Sequence, residues 1–199
     1  MARRAIMQRA RDDDGATGHI RNLASRVEAV AASASHSVNA RADAVAWRWS
    51  SFEQLPVAHL YAAISLRESI FVVEQNVPYL DADGRDPHCR HLTGFVDGRL
   101  VAYARVLPKD LFEPGFFSFG RVVVHPEHRH AGIGRELVTL ALAHLDEVRG
   151  NTPVKISSQF YLREFYQSFG FAPQGEPYIE DRILHIGMVR GHSSPGGRP

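Results

Sequence analysis

A β-branched run that turns into a glycine-punctuated loop and then into an apolar stripe leaves a chain few folds to choose from. Residues 121–137, RVVVHPEHRHAGIGREL, are such a stretch. Val122, Val123 and Val124 favour a pleated, buried strand, and Pro126 ends it. Gly132 and Gly134 carry no Cβ, so main-chain N–H groups there can approach a ligand closely. A helix starting near Gly134 aims its unpaired N–H groups and the positive end of its dipole at the same place. The stretch is an anion cradle, suited to a diphosphate, in a fold that joins strands to helices.

The rest of the chain supplies what such a fold needs. Pro56 suits a first helical turn, and Val57, Leu60, Tyr61 and Ile64 follow the spacing of one buried helical face. An acidic segment, Asp81 to Pro87, has the Gly and Pro of a loop. Residues 92–96 and 100–107 are strand-like runs parted by Asp97-Gly98-Arg99, a strong hairpin cue. Residues 116–124 form another strand, and Ile133, Leu137, Leu140, Ala141, Leu145 and Val148 mark the buried stripe of the helix after the loop. A short strand at 154–158, a short helix carrying Leu162, Phe165, Tyr166 and Phe169 and closed by Gly170, and late strands near Phe171 and at 183–189 complete the body. An α/β (α+β mixed) sheet flanked by helices is the economical architecture.

Composition sets the limits. The first 46 residues hold no Phe, Trp or Tyr, while the first 45 carry twelve Ala and seven Arg, so they cannot build a core of their own. They are an extension, with Ile20, Leu23, Val27 and Val30 approximating one short amphipathic helix. Residues 47–190 form the single folded domain, and 191–199 a Gly/Ser/Pro/Arg tail. A formal charge of +1, from 23 basic and 22 acidic residues, gives no reason to expect nucleic acid or an anionic membrane as partner. No apolar run approaches the ~18 residues that span a bilayer. The lone cysteine, Cys89, permits no intrachain disulfide and suits a reducing compartment, the cytoplasm.

Arg129-His130-Ala131-Gly132-Ile133-Gly134 resembles the R/Q-x-x-G-x-G/A signature of the GNAT superfamily of N-acetyltransferases. Tyr166-Gln167-Ser168-Phe169-Gly170-Phe171 resembles its downstream Y-x-x-x-G-F segment. The ElaA-like branch is resembled more closely, through Phe71 to Gln75, Pro78-Tyr79, Asp81, Asp83-Gly84, Ala102 to Arg105 and His185 to Met188. The resemblance spans about residues 47–190. It implies a largely antiparallel mixed sheet, splayed at its centre, with acetyl-CoA wedged in the gap as cosubstrate and its pyrophosphate on the loop formed by Arg129, His130, Gly132, Ile133, Gly134 and Arg135. It implies that Val122 and Val124 lend backbone groups to the pantetheine and thioester. The activity implied is direct acetyl transfer to a primary amine, borne by a small molecule or a peptide, by a monomer or homodimer. A non-catalytic acyl-CoA-binding sensor is the alternative.

Acetyl transfer needs a neutral amine and a proton for the departing thiolate. Tyr166 matches the superfamily position of that acid; a half-buried core tyrosine beside Phe165 and Phe169 is the other reading. Two residues compete for the base. Glu74 ends an apolar run before the acidic loop, and His185 is a histidine in an apolar strand, with a side chain that titrates near neutrality. Asp81, Asp83 and Asp86 suit recognition of a cationic amine. No metal is expected: His125, His128 and His130 lie inside the anion loop rather than on a rigid ligand scaffold, and Asp81-Ala82-Asp83-Gly84 places its glycine wrongly for a calcium loop. The chain departs from the close family at His130, where Gly often follows the Arg, and at Arg182-Ile183-Leu184, which replaces a common Gly-Ile-Pro turn.

Overall fold

The computed structural model describes residues 44–191. The amphipathic helix expected at Ile20 to Val30 and the tail beyond Gly191 lie outside the described residues. Seven strands form two antiparallel sheets. The larger has the order β1-β2-β3-β4, from Ala46–Ser51, Arg90–Val96, Arg99–Leu107 and Ser118–Val124. The smaller has the order β5-β7-β6, from Val154–Gln159, Ile183–Arg190 and Ala172–Glu180.

The β2–β3 hairpin turns on Asp97 and Gly98, at φ 49° and 77°. Both angles are positive, as the two-residue turn matched to strand twist requires. Strand β1 is an addition to the sequence expectation, which had no element there. It pairs with β2 through Trp47 opposite Gly94, where an added Cβ would come within 2.6 Å of the indole. Gly94 is therefore the recess in which Trp47 lies.

The two sheets meet at one place. Phe117 N–H donates to Pro153 O (3.1 Å) and Lys155 N–H to Phe117 O (2.9 Å), a single parallel bridge between the entries to β4 and β5. Beyond it the two strands part, which produces the splay that the resemblance implies. Val106 and Phe119 from the larger sheet pack with Ile156, Ile186 and Met188 from the smaller, so one apolar core holds both below the gap.

Helix α1 (Val57–Glu68) runs directly into a π-helical turn, Ser69–Glu74, and α2 spans Ile133–Val148. Tyr103 belongs to the cluster beneath α1, whereas its neighbours Ala102 and Ala104 pack with Ile133 and Leu137 of α2. Because successive side chains of a strand point to opposite faces, the helices cover opposite faces of the larger sheet. On α2 the expected stripe holds at Ile133, Leu137, Ala141 and Leu145, while Val148 in the last turn is exposed. On α1 the expected face holds only in part, with Leu60 and Ile64 half-buried. Val57 and Tyr61 are 82% and 76% exposed, and the buried residues are Ala63, Leu66 and Arg67. The spacing of large apolar residues misled because the true inner face carries a small alanine and a fully buried arginine. Such a charge is tolerated inside only when paired. The short helix α3 (Arg163–Gln167) follows a 3₁₀ turn at Phe160–Leu162 and ends near Gly170, at φ 85°.

Candidate active site

Strand β4 forms one wall of the gap and does not run straight. Between the pairs Tyr103–Val123 and Arg105–Gly120, β3 advances two residues while β4 advances three. The extra residue makes a β-bulge, with Arg121 at φ 55°. Bulges bend a strand and re-aim its side chains, and here Gly120, Arg121, Val122 and Val124 all face a cavity of about 810 Å³. Ile156, Ser157, Ser158 and Gln159 of β5 form the facing wall.

The loop after β4 is built as the sequence suggests. His125 caps the 3₁₀ turn Pro126–His128 by accepting from Glu127 N–H. His130 and Gly132 take positive φ, 65° and 83°, so the position where His130 replaces the usual Gly carries left-handed backbone. Arg135 and Glu136 N–H both bond to Gly132 O (3.0 and 3.1 Å), which leaves the N–H groups of Ile133 and Gly134 outside the ladder of α2. A Cβ on Gly134 would find Val124 Cγ2 as its nearest neighbour, at 3.7 Å, so the space before the helix is open. These residues fit a diphosphate.

The expected cofactor residues divide into two groups. Val122, Val124, Arg129 and His130 line the cavity, whereas Gly132, Ile133, Gly134 and Arg135 are not part of its wall. Arg135 is turned away, with its guanidinium over the Phe169 ring at 4.9 Å and its Nη2 donating to Ser168 Oγ at 3.2 Å. Arg129 faces inward and grips Glu74 through two 2.8 Å hydrogen bonds, while its Nε donates to Val124 O. The carboxylate raises the guanidinium pKa further, chiefly through those bonds.

Tyr166, Glu74 and His185, far apart in the chain, reach the same cavity. Both readings of Tyr166 meet in one residue. It is 7% exposed and packs against Phe119, Phe165 and Phe171, yet it also lines the cavity. Burial pushes its phenol far above the ordinary tyrosine pKa, so it keeps its proton at neutral pH. His185 bonds through Nδ1 to Ile183 O at 2.9 Å. A carbonyl only accepts, so Nδ1 carries a proton, and in the neutral ring Nε2 is the atom that keeps its lone pair. Glu74 is less free, because its two oxygens are held by Arg129.

The three aspartates expected to meet a cationic acceptor are paired with this chain's own arginines. Arg67 binds Asp81 (2.7 Å) and Asp86 (2.9 Å), Arg105 binds Asp86 (2.6 Å) and Asp83, and Arg121 binds Asp81 (2.6 Å) and Asp83 (3.5 Å). The contacts close a ring of six alternating charges that fastens the acidic loop to α1, β3 and β4. Asp81 and Asp86 are buried and off the cavity, and Asp83 alone of the three reaches its wall. Burial by itself would raise the Asp83 and Asp86 carboxyls, but their arginine partners outweigh it and hold both below the usual range. His91 lies under the ring, its Nε2–H bonded to Asp86 O and its Nδ1 accepting from Tyr103 O–H at 2.7 Å. Burial lowers its pKa and keeps it neutral.

Sequence reasoning also passed over Gln75 and Gln159. Their side-chain amides bond to each other across the gap, Gln159 Nε2 to Gln75 Oε1 at 2.9 Å and the reverse at 3.5 Å. For the charge ring, the available signal lay in Arg67, a charge on the helix shortly before a run of aspartates. Gln75 ends the Phe71 to Gln75 segment of the family resemblance, which gives it no role, and no pattern marks Gln159.

Residues 80–190 match the model of the acetyltransferase (GNAT) domain family. The chain belongs to the GNAT acetyltransferase family. Protein ElaA of Escherichia coli is 42% identical over 149 residues, covering 73% of this chain and 96% of that one. The crystal structure of that GNAT relative matches with a TM-score of 0.69 and 40% identity, over 74% of this chain and 99% of that one. An acyl-CoA N-acyltransferase from Pseudomonas aeruginosa matches with a TM-score of 0.71 and 37% identity, over 74% and 100%. The GNAT fold thus accounts for both antiparallel sheets and the helices that flank them.

Proposed function

We propose that this protein is an N-acetyltransferase that moves the acetyl group of acetyl-CoA directly to a primary amine on a small molecule or peptide. One observation carries the reading. The cavity where β4 and β5 part is walled by a phenol that keeps its proton, a histidine with a free ring nitrogen, and the Arg129 end of an anion loop. When bound, acetyl-CoA supplies an acetyl group activated as a thioester. The N–H groups of Ile133 and Gly134, with Arg129, would hold its diphosphate, and main-chain groups of Val122 and Val124 would hold the arm. His185 Nε2 takes a proton from the acceptor nitrogen, and Tyr166 O–H gives one to the departing sulfur. Glu74 serves better as the partner that positions Arg129 than as a base.

The test is a CoA-release assay against a panel of amines and peptides, with products weighed by mass spectrometry. The proposal expects acetylated amine in step with released thiol. Saturable acyl-CoA binding with no thiol release from any amine would support the sensor reading instead.

A further inference from the structure

We infer that Glu180 and Asp181, with Ser157 and Tyr178 as positioning residues, seat the acceptor's ammonium group beside His185 and select cationic aliphatic amines; this rests on the transfer reading above. Four carboxylates line the cavity: Glu74, Asp83, Glu180 and Asp181. Glu74 is neutralised by Arg129, and Asp83 by Arg105. The arginines of the wall, Arg85, Arg105, Arg121 and Arg129, each have a carboxylate partner. Glu180 receives only the Ser157 hydroxyl, and Asp181 has no ion pair among the described residues. Among the described residues, the carboxylates of the wall without an arginine partner therefore sit at the β6–β7 turn.

Register places that charge next to the base. Glu180 pairs with Ile183, Tyr178 with His185, and His185 with Gln159, so Ser157, Tyr178, Glu180 and His185 share one face of the smaller sheet. Ser157 has a single proton, which it donates to Glu180 Oε2 at 2.8 Å, and so it accepts from Tyr178 O–H at 2.6 Å. Fixed in this way, the Tyr178 ring stacks on His185 with an interplanar angle of 24°. One carboxylate oxygen of Glu180 stays available. An ammonium held there stands on the same face as Nε2 of His185; when an N–H bond of the ammonium breaks, the proton passes to Nε2 and the nitrogen keeps its electron pair for the acetyl carbon.

The probe is n-butylammonium chloride, titrated into the full chain at neutral pH while the His185 ring signals are followed by NMR. Saturable shifts are expected. Glu180→Gln should weaken binding about fivefold, the scale of an exposed ion pair, and Ser157→Ala should weaken it less. Glu180 is exposed, so the substitution leaves the core intact. In turnover, Glu180→Gln should raise the KM for butylamine more than that for uncharged aniline, with little change in kcat. Absence of saturable shifts, or equal affinity in Glu180→Gln and the parent, overturns the seat. Saturable binding weakened in Glu180→Gln, together with no CoA release from any amine, supports the seat and removes the transfer reading.

Discussion

Two sets of arginine–carboxylate contacts flank the same cavity, and what separates them is access to water. In the ring of Arg67, Arg105 and Arg121 with Asp81, Asp83 and Asp86, the Arg67 and Arg105 side chains are 0% and 3% exposed. In the pair of Arg129 with Glu74, the side chains are 34% and 43% exposed. A buried pair cannot be opened on one side without stranding a charge, so it acts as scaffold. A half-exposed pair can exchange its partner for water or for an incoming anion at little cost, so it suits a working site. The contrast shows why residues of one type, all near one cavity, do different jobs.

Removing one member should break the contrast most plainly at the buried ring. Arg67→Met leaves Asp81 and Asp86 without a shared partner and should lower unfolding stability by about 3–5 kcal/mol, read as a lower midpoint in urea. Next in size, Tyr166→Phe keeps the packing against Phe119 and Phe171 and removes only the hydroxyl. Turnover should fall about 10²-fold, with acyl-CoA affinity and the urea midpoint nearly kept. An unchanged rate would remove Tyr166 as the acid.

Acid should weaken the ring. The Asp83 and Asp86 carboxyls are depressed in the folded state by their arginines. Their stabilisation is thus complete above the unfolded carboxylate pKa of about 4 and is lost as pH falls through the lower folded values. His91 adds an earlier step. Its folded pKa is lowered by burial, so the unfolded chain takes up that proton first, and stability starts to fall as pH drops through the ordinary histidine range. Urea midpoints measured from neutral to acid pH should decline in two stages, and His91→Gln should shrink the first, to which the lowered His125 and His144 also contribute.

The open pair should give the smaller numbers. Glu74→Gln should change stability by less than about 1 kcal/mol, and acyl-CoA affinity, measured calorimetrically, should rise because Arg129 is no longer shared. A loss of turnover far beyond any change in affinity would restore Glu74 as the base. Smallest of all, His130→Gly relieves a left-handed residue at φ 65°. The relief is offset by the extra freedom of glycine in the unfolded chain, so a gain of no more than about 1 kcal/mol is expected.

The same contrast explains what could be read in advance. The build of the loop between β4 and α2 was legible because it depends on main-chain geometry, and Gly132, Pro126 and the valine run announce main-chain geometry directly. The hairpin at Asp97-Gly98 was legible for the same reason. The ring was not, because each member looks like a solvated charge until the fold brings α1, the acidic loop, β3 and β4 together. Arg67 has no place among the large apolar residues whose spacing marks a helix face. Arg121 hides twice over, as an ordinary residue in a strand and as the bulged position that turns the strand aside. Tyr178, Ser157 and Glu180 are joined only by the register of β5, β6 and β7, and the long separation between β5 and the β6–β7 turn leaves no local pattern.

The glutamine clasp across the gap has a further consequence. Two carboxamides bond to each other without either carrying a charge, so the join between Gln75 and Gln159 is indifferent to acidity and only weakly sensitive to salt. The contact between the end of the π-helical turn and β5 should therefore persist across the pH range in which the carboxylates and histidines around the cavity change charge.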